Sequence, residues 1–429
     1  MRVALTTLGC KVNQVESASL VEAFEARGAR IVSFNERADL YVVNTCAVTA
    51  KAAYQSRQLI RRAHRQAPAA RVVATGCYAQ IAPFEIIERS LGSICLVGND
   101  QKINLVDLAL GEQGCLDIYV GDVRRIQKIA PFFVRRLRGR TRAFLRVQDG
   151  CNAFCSYCIV PYSRGPSRSL PLKEVRRQVQ TFLEEGYREI VVTGIHLGHY
   201  GQDLNPQLDL VDLLEEIEAL GPERIRLSSL EVREISERFL SWAQASKSLC
   251  PHFHIPLQSG DDRILQAMNR HYTAEEYLER VRLLRALFPR AALGADVLVG
   301  FPGEGPQEFE NTYRLVEKSP LSYLHVFPFS PRPGTLAEAM TPRVSPIELA
   351  ERLKRLRDLA LRKRRSFYQS QLGEVLSVLV EGRDKETGLK RGTSENYLTV
   401  LIEGEFPPGE IIPVKIERII GQKALGRPL

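Results

Sequence analysis

Gly150-Cys151-Asn152-Ala153-Phe154-Cys155-Ser156-Tyr157-Cys158 is the stretch on which the reading of this 429-residue chain turns. Its cysteines follow a C-x3-C-x2-C spacing and come directly after an apolar run, Ala143–Gln148, that reads as a strand. Three thiolates on one short loop can hold three corners of a cubane iron–sulfur cluster, leaving the fourth iron free to bind a small molecule. A structural zinc site would want a fourth Cys or His nearby. None follows closely, since His196 and Cys250 lie far along the chain.

Towards the C-terminus, five more strand candidates alternate with helical segments. They are Glu189–Thr193, Arg224–Leu230, His252–Leu257, Ala292–Val299 and Tyr323–Phe329, and helices such as Leu172–Glu185, Asp209–Leu220, Ala274–Leu287 and Pro306–Lys318 lie between them. Six βα units with right-handed crossovers predict a partial (βα)6 barrel. A long charged helix follows over roughly Pro346–Gln369. Then Glu374–Glu381, Tyr397–Ile402 and Ile411–Ile416 read as short strands between Gly- and Pro-bearing turns, which predicts a small OB-like β-barrel. Upstream, Arg2–Leu8, Asp39–Asn44, Arg71–Thr75 and Ser93–Val97 alternate with the helical stretches Ser17–Arg27 and Ala50–Gln66. That alternation predicts an α/β unit with a doubly wound parallel sheet. The expected units are therefore 1–112, a connector 113–136, a core with its C-terminal helix 137–368, and the barrel 369–429.

A second set of cysteines has no local motif. Cys10, Cys46 and Cys77 are far apart in sequence, but each ends an apolar strand candidate. Loops at the carboxyl ends of the strands of an open α/β sheet converge where ligands bind. Three thiolates meeting there would hold a second cluster with an open iron, and Gly9 and Gly76 would let the backbone come close to it. Small buried cysteines are also common core residues, so that reading stays open. Cys95, Cys115 and Cys250 lack such a context and read as packing residues.

Taken together, Thr7-Leu8-Gly9-Cys10-Lys11-Val12-Asn13-Gln14, Val43-Asn44-Thr45-Cys46-Ala47-Val48-Thr49, Gly76-Cys77-Tyr78-Ala79-Gln80 and the Cys151 loop resemble the methylthiotransferases, a family of radical-SAM enzymes. The resemblance spans essentially the whole chain. It implies an N-terminal methylthiotransferase domain, a radical-SAM core and a C-terminal TRAM barrel. It also implies two [4Fe-4S] clusters, one on the catalytic Cys151, Cys155 and Cys158 and one on Cys10, Cys46 and Cys77, and two molecules of S-adenosylmethionine. One gives its methyl to a sulfur held at the Cys10 cluster. The other is cleaved at the Cys151 cluster to a radical that takes hydrogen from carbon 2 of an adenine in tRNA.

Gly9–Gln14 and Ser394–Leu398 are similar to the branch acting on N6-threonylcarbamoyladenosine beside the anticodon. Other branches act on isopentenyladenosine in tRNA or on an aspartate of a ribosomal protein. Matching segments imply S-adenosylmethionine contacts at Tyr157, Thr193, Gly194, Ser228, Glu231, Gln258 and Val299. The acidic residue of the Asp296–Glu304 segment stands one place away from the superfamily pattern. His196, His199 and His254 sit at strand ends facing the mouth and read first as structural. The implied partners are tRNA, an electron donor and a sulfur source, the last two unidentified.

The formal net charge is +9, the direction expected of a nucleic-acid partner. Candidate RNA contacts are Arg135, Arg136 and Arg138, with Arg140 and Arg142 beside them. Arg364 and Arg365, beside Arg362 and Lys363, form a second cluster, and Arg57, Arg61, Arg62 and Arg65 a third. Tyr397 is a candidate base-stacking residue, or packs in the barrel. With no signal peptide and no membrane-length apolar run, a cytoplasmic location is expected. No self-association motif stands out, so a monomer is expected. A non-enzymatic, metal-stabilised RNA-binding protein is the remaining alternative. Anaerobic reconstitution with iron and sulfide separates these readings: a brown protein with about eight irons is expected, and a colourless, zinc-loaded one overturns the radical reading.

Overall fold

A computed structural model describes residues 1–90, 92–111 and 114–429. The boundary expected between 112 and 113 lies outside the described residues. The N-terminal sheet has six parallel strands, β1 (Arg2–Thr7), β2 (Arg30–Val32), β3 (Leu40–Thr45), β4 (Arg71–Gly76), β5 (Ile94–Val97) and β6 (Leu116–Tyr119), in the order β2-β1-β3-β4-β5-β6. Every residue of β3, β4 and β5 is buried, as expected for parallel strands covered on both faces. Helix α1 (Lys11–Ala26) covers one face through Leu20 and Phe24, and α2 (Ala50–Gln66) the other through Ile60 and Ala63. A short helix, α3 (Cys77–Ile81), continues from β4.

Two of these strands escape the sequence reading. β2 has three residues, and β6, inside the stretch expected to be a connector, is a half-exposed edge strand. Neither carries the apolar run that marks an interior strand. Helix α1 starts at Lys11 rather than Ser17, because extended Cys10 takes the cap position directly after the sheet loop.

The central unit has two three-stranded parallel halves. The first is β7 (Arg142–Arg146), β8 (Glu189–Thr193) and β9 (Arg224–Leu227), and the second β10 (His252–His254), β11 (Ala292–Val299) and β12 (Tyr323–Pro328). The amide of Leu230 donating to the carbonyl of His254 at 2.9 Å joins them into the expected partial barrel. β9 and β10 stop three residues earlier than expected, and the released segments, 228–230 beginning with Ser228 and 255–257 leading to Gln258, lie at the mouth. Helix α4 (Val160–Arg164) follows the cysteine loop, and α5 (Pro346–Gln369) is the long charged helix, opened by a Ser345–Glu348 capping box.

The C-terminal strands β13 (Val375–Arg383), β14 (Lys390–Ser394), β15 (Thr399–Ile402), β16 (Ile411–Ile420) and β17 (Lys423–Pro428) close into a five-stranded barrel. β14 and β17 are short on apolar residues, which is why periodicity does not reveal them. Two arginines of β9 fasten this barrel to the core. Arg226 pairs with buried Glu189 at 2.6 Å and donates to the carbonyls of Ser394 and Glu395 at 3.1 and 3.0 Å. Arg224 pairs with the same carboxylate at 3.2 Å and donates to the carbonyls of Ser377 and Thr393.

A second buried ion network joins the N-terminal sheet to the core. Arg164, at the end of α4 and 1% exposed, meets Glu16 of α1 at 2.9 Å and Asp149 at 2.7 Å, and also bonds Asn13. Lys102 reaches the other oxygen of Glu16 at 2.7 Å, while Arg146 and Arg168 hold the second oxygen of Asp149 at 2.9 and 3.2 Å. Burial pushes the Glu16 carboxyl up, but Arg164 and then Lys102 outweigh it and hold it down at about 2. Its contribution is complete above the ordinary glutamate value of about 4.3 and is lost as the pH falls towards 2. Arg164→Met strands two buried carboxylates and is expected to cost about 3–5 kcal/mol at pH 7. Urea unfolding at pH 7 and pH 3 reads both effects; a variant as stable as the wild type at pH 7 contradicts this account.

Candidate functional site

The Cys151 loop leaves β7 through a short pairing of Gln148–Asp149 with Arg168–Ser169. Gln148 is buried and staples the loop to the mouth. Its amide donates to the carbonyl of Gly150 at 2.7 Å, and its oxygen accepts from the amides of Ile195 and His196 at 2.9 and 2.8 Å. Thr193 and Gly194 are thereby held beside the cysteine loop, and a Cβ on Gly194 would press within 2.9 Å of the Gln148 oxygen. Asn269 donates to the carbonyls of Ala153 and Phe154 at 3.1 Å each, and Arg270 places a guanidinium nitrogen 3.4 Å from Cys155 Sγ while pairing with Glu231. His196 Nδ1 stands 3.3 Å from Cys151 Sγ, and its ring stacks on His199. Gln148, Asn269 and Arg270 have no motif of their own, so the sequence does not reveal them.

Cys10, Cys46 and Cys77 stand at the carboxyl ends of β1, β3 and β4. Asn13 ties two of their loops together by donating to the carbonyls of Leu8 and Thr45 at 2.8 and 3.1 Å. Gly9 approaches Cys46 so closely that a Cβ on it would stand 3.0 Å from the sulfur. Cys46 and Cys77 are buried and Cys10 is exposed. Cys77 packs in one cluster with Ile159, the residue after Cys158, and Asn13 bonds Arg164. Residues 159–164, which follow Cys158, thus reach both α1 and the packing around Cys77. Cys95 and Cys250 are buried packing residues, while Cys115 is exposed.

Each triad offers three thiols, the donor set of an open-cornered iron–sulfur cluster and one short of the four ligands of a structural zinc site. Sulfurs around one tetrahedral zinc ion lie about 3.8 Å apart, given a Zn–S bond of about 2.3 Å. Among the described residues neither triad brings its three sulfurs within 4.8 Å of one another. Burial, then the neighbouring Cys155, pushes the Cys158 thiol up to about 12, and burial, then Cys77, pushes Cys46 up to about 11. A cationic cluster would reverse that cost by accepting the thiolates.

Beside the Cys151 loop lies a cavity of about 510 Å³ whose lining includes Asn152, His196, Glu231, Asn269 and Arg270. Ser228 Oγ is buried with no hydrogen-bond partner among the described residues. Tyr157 packs beside Met268 and Phe301, and its hydroxyl is raised well above the ordinary range by burial, then Cys155. Val299 is buried in the core and ends β11.

The basic residues divide. Arg135 and Arg136 both pair with Glu185, and Arg138 pairs with Glu25. Arg57 is engaged by Tyr78 and Glu85. Arg364 bonds Gln422 at 2.8 Å, and Arg365 is exposed. Tyr397 stacks on His252 at 4.2 Å with Arg226 over its ring, yet it stays 39% exposed and lines a cavity between core and barrel.

The Radical SAM superfamily pattern matches residues 145–316, and that of the uncharacterized protein family UPF0004 matches residues 2–98. Over 418 residues the chain is 38% identical to the threonylcarbamoyladenosine tRNA methylthiotransferase MtaB of Aquifex aeolicus (strain VF5), covering 97% of this chain and 100% of that protein. Identity to MtaB of Bacillus subtilis (strain 168) is also 38%, across 96% of this chain and 93% of that one. The tRNA-2-methylthio-N(6)-dimethylallyladenosine synthase of Pelotomaculum thermopropionicum is 32% identical, across 96% and 94%. In fold the chain is similar to TsrM, a radical S-adenosylmethionine methyltransferase of Kitasatospora setae, with a TM-score of 0.58 at 16% identity over 79% of this chain and 74% of that one. These relatives set aside the non-enzymatic alternative. No described helix is long and apolar enough to cross a membrane.

Backbone strain gathers at the same place. Among the described residues, the non-glycine positions with positive φ are Phe154, Gln258, Asn269 and Tyr397, all in or against the regions just described. Such conformations persist where the surroundings over-determine them. Gly150 has φ +74°, and a Cβ there would lie 1.9 Å from the carbonyl oxygen of Pro166. Gly139 has φ +68° with open space around it. Gly139→Ala is expected to cost only the left-handed backbone term, about 1–2 kcal/mol, and Gly150→Ala clearly more. Equal shifts in thermal unfolding for the two variants would show that the loop yields.

Proposed function

The chain belongs to the methylthiotransferase family of radical-SAM enzymes, and on that premise we propose that it adds a methylthio group to carbon 2 of N6-threonylcarbamoyladenosine beside the anticodon of tRNA. The observation that carries the reading is end-to-end likeness to MtaB. In this reading residues 1–112 hold a [4Fe-4S] cluster on Cys10, Cys46 and Cys77, and residues 137–368 hold another on Cys151, Cys155 and Cys158. When bound, the clusters and S-adenosylmethionine supply a methylated sulfur and a carbon-centred radical, chemistry that no side chain provides against an aromatic C–H bond.

The chain's own residues position these groups. Gln148 and Asn269 brace the Cys151 loop, and Arg270 sets a positive charge beside Cys155. Glu231 lines the cavity beside the Cys151 loop, and the reading adds Tyr157, Thr193, Gly194, Ser228, Gln258 and Val299 as S-adenosylmethionine contacts around it. The barrel, residues 369–429, and α5 present Tyr397, Arg364 and Arg365 to RNA. Arg135, Arg136 and Arg138 remain candidates for the phosphate contact, since their ion pairs are exposed and cost little to exchange for a phosphate. An electron donor and a sulfur source complete the reaction as separate partners.

Nucleoside mass spectrometry of tRNA from cells with and without the gene tests this. The 2-methylthio form of threonylcarbamoyladenosine is expected to disappear and its precursor to accumulate. Loss of the isopentenyl analogue instead would assign the sister reaction.

A further inference from the structure

Three neighbouring strands of the partial barrel each set one metal-ligating side chain on the same face. Register pairs His254 of β10 with Gly294 of β11, and Asp296, two residues on, with His325 of β12. Residues two apart on a strand share a face of the sheet, so His254, Asp296 and His325 converge. His254 Nε2 and His325 Nδ1 both stand 3.2 Å from the same carboxylate oxygen, Asp296 Oδ1. One donor atom from each of the three lies within 4.8 Å of the other two. None of the three is a cysteine-triad neighbour in the chain.

Two details set this group apart from an ordinary ion pair. His254 is 9% exposed, yet its Nε2 has no hydrogen-bond partner among the described residues, although Asp296 Oδ1 is so near. The nitrogen is aimed beside the oxygen rather than at it. Its other nitrogen is occupied, with Ser229 Oγ 2.8 Å from Nδ1. Metal-bound imidazoles are held in this way, one ring nitrogen on a hydrogen-bond partner and the other turned to the ion. His252, two residues earlier on the same strand, gives the contrast: its Nε2 is taken by the hydroxyl of Tyr323 at 2.7 Å.

We infer that His254, Asp296 and His325 form a binding site for a divalent metal ion, with a donor set suited to zinc. Ligand atoms held at about 2.0–2.1 Å around a tetrahedral ion lie about 3.3 Å apart, close to both separations from Asp296. Two imidazoles and one carboxylate leave the fourth position open, as in zinc sites that take a water or a substrate atom. His325, the exposed member, also lines the cavity of about 670 Å³ between core and barrel, beside Arg142 and Tyr397. The open position therefore lies on the cavity side, where the ion offers a Lewis-acidic point to an oxygen ligand. The site goes beyond the function proposed above and does not depend on which adenosine is modified.

The test uses the full chain with its iron–sulfur clusters reconstituted, equilibrated with zinc chloride and desalted. Elemental analysis reads zinc and iron, and X-ray absorption at the zinc edge reads the ligand atoms. About one zinc per chain is expected beyond the iron, with a shell of nitrogen and oxygen alone at about 2.0–2.1 Å. His325→Ala and Asp296→Asn should each weaken zinc retention at least about tenfold, the lower bound for losing even a supporting group of a metal site, with iron content unchanged. Sulfur in the wild-type shell would place the zinc on a cysteine triad and overturn the inference, a reading that does not require either variant to fold. A wild type that retains no zinc, or variants that retain it fully, would overturn it as well.

Discussion

Everything at the candidate centre depends on one guanidinium kept out of water. Arg164 ends the helix after the Cys151 loop and reaches Asp149 just before that loop, so it closes the loop on itself. The same group reaches Glu16 and Asn13 of α1, the helix that begins at Cys10. An unpaired charge in this setting would be severely destabilising, so the contact tolerates only a narrow range of geometries. Two units that share no sheet are thereby joined through a single buried side chain as well as through their surface contacts.

Within each unit the structural work is done by neutral hydrogen bonds. Gln148, Asn13 and Asn269 satisfy main-chain groups of loops that belong to no sheet or helix. A sulfur-bearing loop otherwise has little to hold it in place. The conformations forced on Phe154 and Asn269 record how tightly the surroundings specify the loop.

Much of this was legible in the chain. The strand-ending cysteines at 10, 46 and 77 and the compact Cys151 motif pointed to the two centres because strand order puts carboxyl-end loops together. Interior strands such as Leu40–Thr45 were legible because they are uninterrupted apolar runs. The edge strand Leu116–Tyr119 and the barrel strand Lys390–Ser394 were not, since each carries charged or small residues and owes its existence to neighbours distant in sequence. Arg164, Gln148 and Arg270 stayed hidden for a related reason: a buried polar residue is defined by its partners, which periodicity cannot name. For the run of arginines from 135 to 142, the sequence shows the density of charge but not that Glu25, Glu185 and Glu381 pair with several of its members.

One part of the joint between core and C-terminal barrel is made by Arg224 and Arg226 donating chiefly to main-chain oxygens of residues 377 and 393–395. Carbonyl oxygens look alike whatever residue bears them. Such a fastening is indifferent to most of the barrel's amino-acid spelling and answers only to the path of its backbone. The outer face of the barrel can therefore change its composition freely, as its nearly balanced charge allows, while its seat on the catalytic unit stays the same.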